Sequence, residues 1–242
     1  MRESEKFAFE FLRDSSLSPD IELDDKYERG ERFKAYPDAP RTPLPKAQGG
    51  SGMGLWEAMA ARRSVRQYCD RPLTLEQLAR ILWAAQGVTT VKGEFLLRTA
   101  PSAGGLFPYE TYVLVKNVTG LEPGTYHLNV AEWALEFIRP GDVSAGLMEA
   151  ALGQKFVGQA PVVIATTILC DRFLWRYKKR GVRYAFIDIG HVGQNIALAA
   201  AAMKMGCCAV GAYFDREVAD VIDCGREDEL PVYLNAVGFP AE

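Results

Sequence analysis

The sequence predicts a mixed α+β fold with a single body, and three observations lead to this prediction. Segments with the period of a strand are interspersed along the chain with segments that have the period of a helix. Residues 124–130 (GTYHLNV) and 133–140 (WALEFIRP) are separated by only two residues, which is typical of an antiparallel hairpin. The chain has 242 residues, of which 48% are hydrophobic, so it is large enough to bury a core, and it shows no internal repeat.

The first 54 residues are predicted to form an extended N-terminal arm, followed by a body that spans residues 55–242. Five prolines interrupt residues 14–54, which end in the glycine-rich segment AQGGSGMG. Such an arm either wraps over the body or stays partly mobile. The body begins with LWEAMAARRS, which predicts a short helix ending at Arg62 and Arg63.

A second helix is predicted from the signal at its N-terminus. Thr74 and Gln77 have the spacing of a capping box, and apolar residues follow them at the helical period. Gly87 suits the C-terminal end of this helix. Residues 109–116 (YETYVLVK) then alternate and include β-branched side chains, so they predict a strand.

The second half of the chain predicts further helices and strands. Residues 143–154 are a helix candidate, and the continuous apolar run PVVIATTILC predicts a buried strand. Residues 184–205 predict a long helix of about 33 Å at a rise of 1.5 Å per residue. The chain closes with three segments: GAYF, a helix that begins at Asp215, and VYLNAV.

The long helix has small residues on every face of its second half, IALAAAAM. A helix that is apolar all round is buried on all sides, so we expect it to pack against a second subunit. Asp188, His191 and Asn195 are spaced by three and four residues and are predicted to share one face. His191 is interpreted as a packed histidine within a helix pair.

Charge and composition exclude several classes of protein. The net charge is −3, so no excess of basic residues is available for nucleic acid. The charged N-terminus predicts no secretory signal, and the polar residues within residues 184–205 argue against a membrane span. The five cysteines form no CxxC pair, which favours a reduced cytoplasmic protein. The two histidines lack the spacing of zinc ligands, so no metal site is expected.

Residues 62–66 (RRSVR) place three guanidinium groups and one hydroxyl at the end of a helix. Arginine side chains bind phosphate oxygens through paired hydrogen bonds, and serine adds a short donor. The segment is neither a P-loop nor a Rossmann fingerprint, so arginine side chains would have to hold any phosphorylated cofactor. A solvated basic corner is the alternative interpretation.

Two adjacent glycines, Gly104 and Gly105, precede the strand at residues 109–116. Glycine can adopt positive φ angles and lets another group approach the backbone without a Cβ in the way. The segment that contains them, PSAGG at residues 101–105, is therefore a candidate binding loop. A loop that merely enters a strand is the alternative.

Five segments, in this order along the chain, resemble the nitroreductase-like flavoprotein superfamily and, within it, the SagB-type dehydrogenase branch. They are RRSVRQY, PSAGGLFPYETYVLV, GLEPGTYHLN, RYAFIDIGHVGQNIALAAAAMKMG and VGAYFDREVADVI. The resemblance extends over residues 36–238. It implies a nitroreductase-like fold, with a mixed, mostly antiparallel central sheet flanked by helices. It also implies a homodimer whose core contains the long alanine-rich helix.

The resemblance further implies that FMN binds at the subunit interface. The positions that match the family's cofactor-binding residues are Arg62, Arg63, Ser64, Arg66, Pro101, Ser102, Ala103, Gly104, Gly105, Leu106, Val210, Gly211 and Ala212. The first three would hold the FMN phosphate, with Arg63 assisting, and Arg66 would lie near N1 and the C2 carbonyl of the flavin. Residues 102–106, from the partner chain, would cross the edge of the ring, and residues 210–212 would pass near N5.

Catalytic residues follow from the same resemblance. Branch members that oxidise azolines carry a Lys-Tyr pair, which is matched here by Arg176 and Tyr177. Arginine is a poor general base, which argues against azoline oxidation unless a shift of one or two residues brings Lys178 into reach. A helix-surface aromatic is the alternative for Tyr177. Many relatives add a basic residue near the C-terminus for the phosphate, and Arg226 is the remaining candidate for it here.

The function implied by the resemblance is that of a cytoplasmic FMN-dependent oxidoreductase. Hydride would move through the flavin N5, with NAD(P)H as electron donor and a small organic acceptor. The SagB-type variant of this function is the dehydrogenation of a heterocycle in a peptide substrate. The alternative is a non-enzymatic flavin-binding or scaffold member of a peptide-modifying complex.

Overall fold

The computed structural model describes residues 3–17, 28–46, 52–93, 95–226 and 228–241. Its helices are α1 (Glu3–Asp14), α2 (Leu55–Ala61), α3 (Leu75–Gln86), α4 (Ser144–Ala150), α5 (Lys155–Gln159), α6 (Asp171–Tyr177), α7 (Arg180–Ala202) and α8 (Asp215–Ile222). Its strands are β1 (Arg41–Pro43), β2 (Leu73–Thr74), β3 (Val88–Lys92), β4 (Phe95–Arg98), β5 (Tyr109–Val115), β6 (Val118–Thr119), β7 (Gly124–Asn129), β8 (Ala134–Pro140), β9 (Val162–Leu169), β10 (Gly206–Val210) and β11 (Glu229–Gly238).

Seven of the strands form a central sheet in the order β1-β8-β7-β5-β9-β11-β10, and each neighbouring pair is antiparallel. The hairpin predicted at residues 124–140 is present as β7 and β8. β2 and β6 form a short parallel pair, and β3 and β4 form a separate antiparallel ribbon. The predicted fold class, a mixed architecture with a mostly antiparallel central sheet, is confirmed.

Helices cover both faces of the sheet because its central strands are apolar on both sides. On β9, Ile164 belongs to a core that contains residues of α3 and α7, whereas its neighbour Ala165 belongs to a second core that contains residues of α4, α5 and α8. α3 starts at the predicted capping box, in which the side chains of Thr74 and Gln77 each bond the backbone amide of the other residue. Both layers are thus positioned by the sheet that separates them.

The first 54 residues are less extended than predicted. They contain the helix α1, and β1 pairs with β8 as an edge strand of the central sheet. Residues 18–27 and 47–51 lie outside the described residues, so the prediction for those parts of the arm stays a prediction. The division of the chain between residues 54 and 55 also stays a prediction.

Several elements differ from the sequence prediction. The predicted helix at residues 143–154 is shorter and is present as α4, and α7 begins four residues before the predicted start at residue 184. GAYF at residues 211–214 is irregular, and the strand in this region is β10, immediately before it. No helix among the described residues is both long enough and apolar enough to cross a lipid bilayer.

A buried ion pair fastens the arm to the sheet. The ammonium of Lys34 donates to Oε2 of Glu229 at 2.5 Å and to the hydroxyl of Tyr112 at 2.7 Å. The side chain of Glu229 is fully buried, and Thr167 Oγ1 donates to its other carboxylate oxygen at 2.6 Å. Burial by itself lowers the pKa of Lys34, but the hydrogen bonds with Glu229 and Tyr36 raise it above its ordinary value. Lys34 therefore stays charged beside the carboxyl group of Glu229, and each partner depends on the other.

Replacing Lys34 with methionine is expected to lower the free energy of unfolding by about 3–5 kcal/mol, because Glu229 would stay buried without its cation. Urea unfolding followed by circular dichroism measures this change. The double variant Lys34→Met/Glu229→Gln should recover much of the loss, since it buries no lone charge. Lys155→Met, at an exposed lysine of α5, is the matched control. A loss below about 1 kcal/mol, the value of an exposed pair, would contradict the prediction.

Candidate active site

Residues 62–66 run along the edge of the central sheet. Arg62 caps the C-terminal end of α2, and the chain then turns to lie beside β10. The amide of Val65 donates to the carbonyl oxygen of Cys207 at 3.1 Å, and Ser64 forms a parallel β-bridge with the same residue. Because β10 is the last strand of the sheet, its outer side is available to this segment. The sheet thereby fixes the backbone that carries the arginines.

Three side chains of this segment carry polar groups that make no hydrogen bond or ion pair with the described part of the protein. They are Arg62, Ser64 and Arg66. Arg63 differs, because its Nη1 donates to the carbonyl oxygens of Ala60 at 3.2 Å and of Arg62 at 2.7 Å, at the end of α2. The segment therefore has two guanidinium groups and one hydroxyl that are available to an anion. Arg63 instead bonds the carbonyl oxygens at the C-terminal end of α2.

Residues 210–212 lie on the same surface, immediately after β10. Val210 is buried, whereas Gly211 and Ala212 are exposed. A Cβ built on Gly211 would meet no atom within 4 Å, so the space beside it is open.

The start of α5 links this stretch to the arginines. The side chain of Gln154, the N-cap of α5, donates to the carbonyl oxygen of Ala212 at 2.9 Å. The guanidinium of Arg66 lies 5.8 Å from the ring centroid of Phe156, which is two residues after Gln154 in α5. Residues 62–66 and 210–212 together are called the β10 surface below.

The two cysteines of β10 are not reactive thiols. Burial raises the pKa of Cys207 to about 12, although the charge of the nearby Arg62 opposes the shift. Burial also raises the pKa of Cys208. A thiol with a raised pKa is a weak nucleophile, so chemistry on the β10 surface needs another reactive group.

The second group of candidate residues is the segment 101–106, called the glycine loop below. Gly104 and Gly105 have φ angles of 61° and 65°, in the region that favours glycine. The amide of Gly105 donates to the carbonyl oxygen of Ser102 at 2.9 Å and closes a tight turn, Ala103–Gly105. The two glycines are therefore required by the conformation of the loop.

Asp188 of α7 holds the glycine loop in place. Its carboxylate oxygens lie 3.3 and 3.2 Å from the amide nitrogen of Ala103, and the residue is 5% exposed. Burial raises the pKa of Asp188, and the hydrogen bonds from Ser102 and Ala103 oppose the shift. Leu106, at the other end of the loop, is buried, whereas Pro101 is exposed. Asp188 was not among the predicted site residues, since its role depends on how α7 packs beside the loop.

The polar residues of α7 share one face of the helix, as their spacing predicts, but they lie at different heights along it and make different contacts. Asp188 faces the glycine loop, and Asn195 donates to the carbonyl oxygen of Ala84 in α3 at 2.9 Å. His191 is exposed, so its interpretation as a packed histidine is wrong for the single chain. Spacing alone did not reveal that the glycine loop covers this face at Asp188 and that α3 covers it at Asn195.

The structure places Arg176 and Tyr177 directly against the glycine loop. A Cβ built on Gly104 would lie 2.4 Å from the hydroxyl oxygen of Tyr177 and 3.3 Å from Cζ of Arg176. The ring of Tyr177 packs edge-to-face on that of Tyr184, with centroids 5.1 Å apart, and is half-buried. Arg176 is exposed and makes no ion pair among the described residues. Gly104 is therefore needed for a close approach as well as for its φ angle.

Within one chain, the glycine loop and the segment before α2 contact different parts of α7. Asp188 contacts the loop, whereas the carbonyl oxygen of Ala202 accepts a hydrogen bond from the amide of Met53, close to α2. These two residues of α7 are 14 positions apart (202 − 188), about 21 Å along the helix. The structure thus places the candidate residues in two groups, one at the β10 surface and one at the glycine loop with Arg176 and Tyr177.

Large apolar side chains are exposed on α2 and α7, which pack against each other. They are Leu55, Trp56, Met59, Phe186 and Ile187, and Trp56 is 81% exposed. Gly190 and Gln194, also on α7, are exposed as well. On the single chain, the exposed residues of α7 lie within residues 186–194, whereas residues 196–202 include none that is exposed. The packing of α7 against a second subunit stays a prediction. The surface formed by the five apolar residues is called the α2–α7 face below.

Arg226, the alternative phosphate ligand, is occupied elsewhere. Its guanidinium donates to Asp171 at 2.9 Å and to Asp228 at 2.7 Å. It precedes the start of β11, whose other end, Gly238, pairs with Gly206 beside residues 62–66. The length of β11, about 30 Å for ten residues, separates Arg226 from the β10 surface of the same chain. Arg226 is therefore not available to the β10 surface of the same chain.

Comparison with known proteins gives the family. Residues 59–239 match the nitroreductase family. The chain is 39% identical over 188 residues to a protein of Methanocaldococcus jannaschii named "Putative nitroreductase MJ1384", and the match covers 78% of this chain and 92% of that protein. The range that matches the family, residues 59–239, contains the β10 surface, the glycine loop and α7.

Two further similarities cover less of the other protein. The trifolitoxin-processing protein TfxB of Rhizobium leguminosarum bv. trifolii is 33% identical over 138 residues, which cover 53% of this chain and 37% of TfxB. The crystal structure of a "putative nitroreductase" from Anabaena variabilis superimposes with a TM-score of 0.77 at 27% identity, over 96% of this chain and 46% of that one. The chain thus spans less than half of both of these proteins.

Proposed function

The chain belongs to the nitroreductase family of oxidoreductases, and from this premise we propose that it is an FMN-dependent enzyme that works as a homodimer. It takes electrons from NAD(P)H and passes them to a small organic acceptor. The observation that carries the proposal is the set of unpartnered donors on the β10 surface. Arg62, Ser64 and Arg66 provide the charge and the hydrogen bonds that a phosphorylated cofactor needs.

The residues of the β10 surface fit FMN. Arg62 and Ser64 would hold its phosphate through charge-assisted hydrogen bonds. Arg66 would place a positive charge beside the ring, where it stabilises the negative charge of the reduced form. Gly211 keeps the adjacent space open, because no atom lies where its side chain would be. Bound FMN would supply the N5 atom that accepts and donates hydride.

The glycine loop would complete this site from the partner subunit. Within one chain the loop contacts Asp188 near the middle of α7, whereas residues 62–66 lie beside β10, which follows the C-terminal end of α7. This arrangement favours a site shared between two chains. The exposed apolar residues of the α2–α7 face support the same arrangement, since a monomer rarely exposes so many large side chains together. Gly104 and Gly105 would then let the ring approach the backbone of the loop without a Cβ in between.

Arg176 and Tyr177 would act on the substrate, from their position against Gly104. Arginine side chains stay protonated in proteins, so Arg176 would orient a negatively charged or carbonyl group and not remove a proton. The hydroxyl of Tyr177 would add a neutral hydrogen bond. These roles fit the reduction of a small acceptor by hydride transfer, which requires little acid–base chemistry from the protein.

A SagB-type dehydrogenation of a peptide heterocycle is the second candidate. It is supported by the similarity to TfxB, whose name describes the processing of trifolitoxin. The exposed position of Arg176 and the open space beside Gly211 would admit a peptide as well as a small molecule.

We also propose a cytoplasmic location. All five cysteines are free thiols, and reduced cysteines are typical of that compartment. Burial or partial burial of each of them limits their oxidation.

Steady-state kinetics of the FMN-loaded protein tests the proposed activity. We expect consumption of NADH or NADPH that depends on a nitroaromatic acceptor, and no product from an azoline-containing peptide. The variant Arg176→Lys is the informative comparison, because lysine can act as a general base where arginine cannot. If neither nicotinamide reduces the bound flavin, the proposal of an NAD(P)H-dependent reductase is wrong. Turnover of the azoline peptide would favour the second candidate.

A further inference from the structure

A cavity of about 410 Å³ lies at one edge of the protein, next to the β3–β4 ribbon. The residues that line it include Trp83 of α3, Val88 and Val91 of β3, Leu96 of β4, Trp133 from the turn between β7 and β8, and Lys46. We call it the tryptophan cavity. Its volume is within the range of pockets that bind small molecules, and none of its residues belongs to the β10 surface or the glycine loop.

The lining of the tryptophan cavity is suited to an apolar molecule. Two indole rings and several aliphatic side chains form its walls, and Val91 is 66% exposed. The indole nitrogen of Trp133 donates to the carbonyl oxygen of Pro45 at 3.1 Å, which fixes that ring in place. A concave apolar surface with rigid aromatic walls provides a large contact area at a low entropic cost.

Lys46 is the charged group among the described residues that line the cavity. It is exposed, and its ammonium makes no ion pair within the described part of the chain. A ligand with one negative charge next to an apolar body would pair with it.

The β3–β4 ribbon separates the tryptophan cavity from the glycine loop. Leu96 lines the cavity, whereas its neighbours Phe95 and Leu97 approach the loop: their side chains would lie 3.8 and 3.9 Å from a Cβ on Gly105. Alternate residues of β4 thus face the two sites. The cavity is a separate site on the other side of the ribbon.

We propose that the tryptophan cavity binds a small aromatic or branched aliphatic carboxylate, with the apolar body between the two indoles and the carboxylate at Lys46. This proposal does not depend on the cofactor or on the reaction. The shape of the cavity provides affinity for the apolar body, and the single cation at its rim provides selectivity for an anion.

Isothermal titration calorimetry with two probes tests the proposal on the full chain. Anilinonaphthalene sulfonate is aromatic and anionic, and N-phenylnaphthylamine is its uncharged analogue. Both should bind once per chain, and Lys46→Gln should weaken the anionic probe by about fivefold while leaving the neutral probe within about twofold. Lys92→Gln, at an exposed lysine of the same ribbon, is the matched control and should change neither affinity.

A second variant fills the site. Ala131 also lines the cavity and is exposed in a turn, so Ala131→Trp should abolish the binding of both probes and leave the fold intact. The titrations are repeated with excess FMN, which should not displace either probe. Unchanged binding in Ala131→Trp, equal weakening of both probes in Lys46→Gln, displacement by FMN, or no binding at all would each overturn the proposal.

Discussion

Replacing Ile187 with glutamate is expected to convert the protein to a monomer and to weaken FMN binding by at least about a hundredfold. Ile187 is 57% exposed on the α2–α7 face, next to Phe186. In a dimer that buries this face, the new carboxylate would lose its water without gaining a partner, which costs several kcal/mol. Because the glycine loop would come from the partner chain, loss of the dimer would also remove half of the cofactor site.

The measurement is light scattering for the mass and fluorescence titration for the flavin. Leu152→Glu is the matched control, since Leu152 is a 52% exposed leucine just after α4 and outside the α2–α7 face. It should leave both the mass and the FMN affinity unchanged. A dimeric Ile187→Glu protein would show that the interface lies elsewhere. A monomer with undiminished FMN affinity would show that one chain suffices for the site.

Replacing Arg62 with alanine is expected to weaken FMN binding by about 2 kcal/mol, or roughly thirtyfold. Its guanidinium has no acceptor among the described residues, so its hydrogen bonds are available to the phosphate. Ser64→Ala removes a neutral donor and should cost about 1 kcal/mol. Riboflavin, which lacks the phosphate, should bind equally well to the parent protein and to Arg62→Ala.

Arg80→Ala serves as the control for this prediction. Arg80 pairs with Glu76 on α3 at 2.8 Å and lies outside the β10 surface, so its removal lowers the net charge by the same amount without touching the site. If Arg62→Ala and the parent protein have the same dissociation constant for FMN, Arg62 is a solvated surface residue that does not bind the cofactor. Equal losses for FMN and riboflavin would mean that Arg62 supports the ring and not the phosphate.

Local signals in the sequence identified the elements whose determinants are local. The capping box of Thr74 and Gln77 marked the start of α3, and two short apolar segments two residues apart marked the β7–β8 hairpin. Gly87 follows α3 as predicted, but for another reason. Its φ is −57°, and a Cβ there would lie 2.3 Å from Cδ1 of Trp83, so it allows a close contact rather than a left-handed turn.

The elements that sequence reasoning missed depend on distant partners. β10 contains the pair Cys207-Cys208 and is a strand because it pairs with β11. β1 contains Pro43 and is an edge strand because β8 supplies its hydrogen bonds. α6 is short, and no helix was predicted there, although Arg176 and Tyr177 were predicted as catalytic residues. Propensity has little influence on such segments when tertiary pairing decides their conformation.

The residues of the candidate site also differ in whether the sequence alone could reveal them. The arginines of residues 62–66 and the glycines at 104 and 105 were found because their chemistry is visible in the residue types, and the resemblance then gave them roles. The role of Asp188 as the hydrogen-bond acceptor for the glycine loop was missed, because only the packing of α7 brings its carboxylate to the amide of Ala103. The hydrogen bonds from Arg63 to the end of α2 were also missed, because they depend on how the backbone folds there.

Titration of the flavin-free protein with FMN, with the mass followed by light scattering, tests the central claim most directly. We predict that each dimer binds two FMN molecules, one per chain, and that the mass stays that of two chains at low micromolar concentration. A protein that binds FMN tightly as a monomer, or a dimer that binds no FMN, would contradict the account.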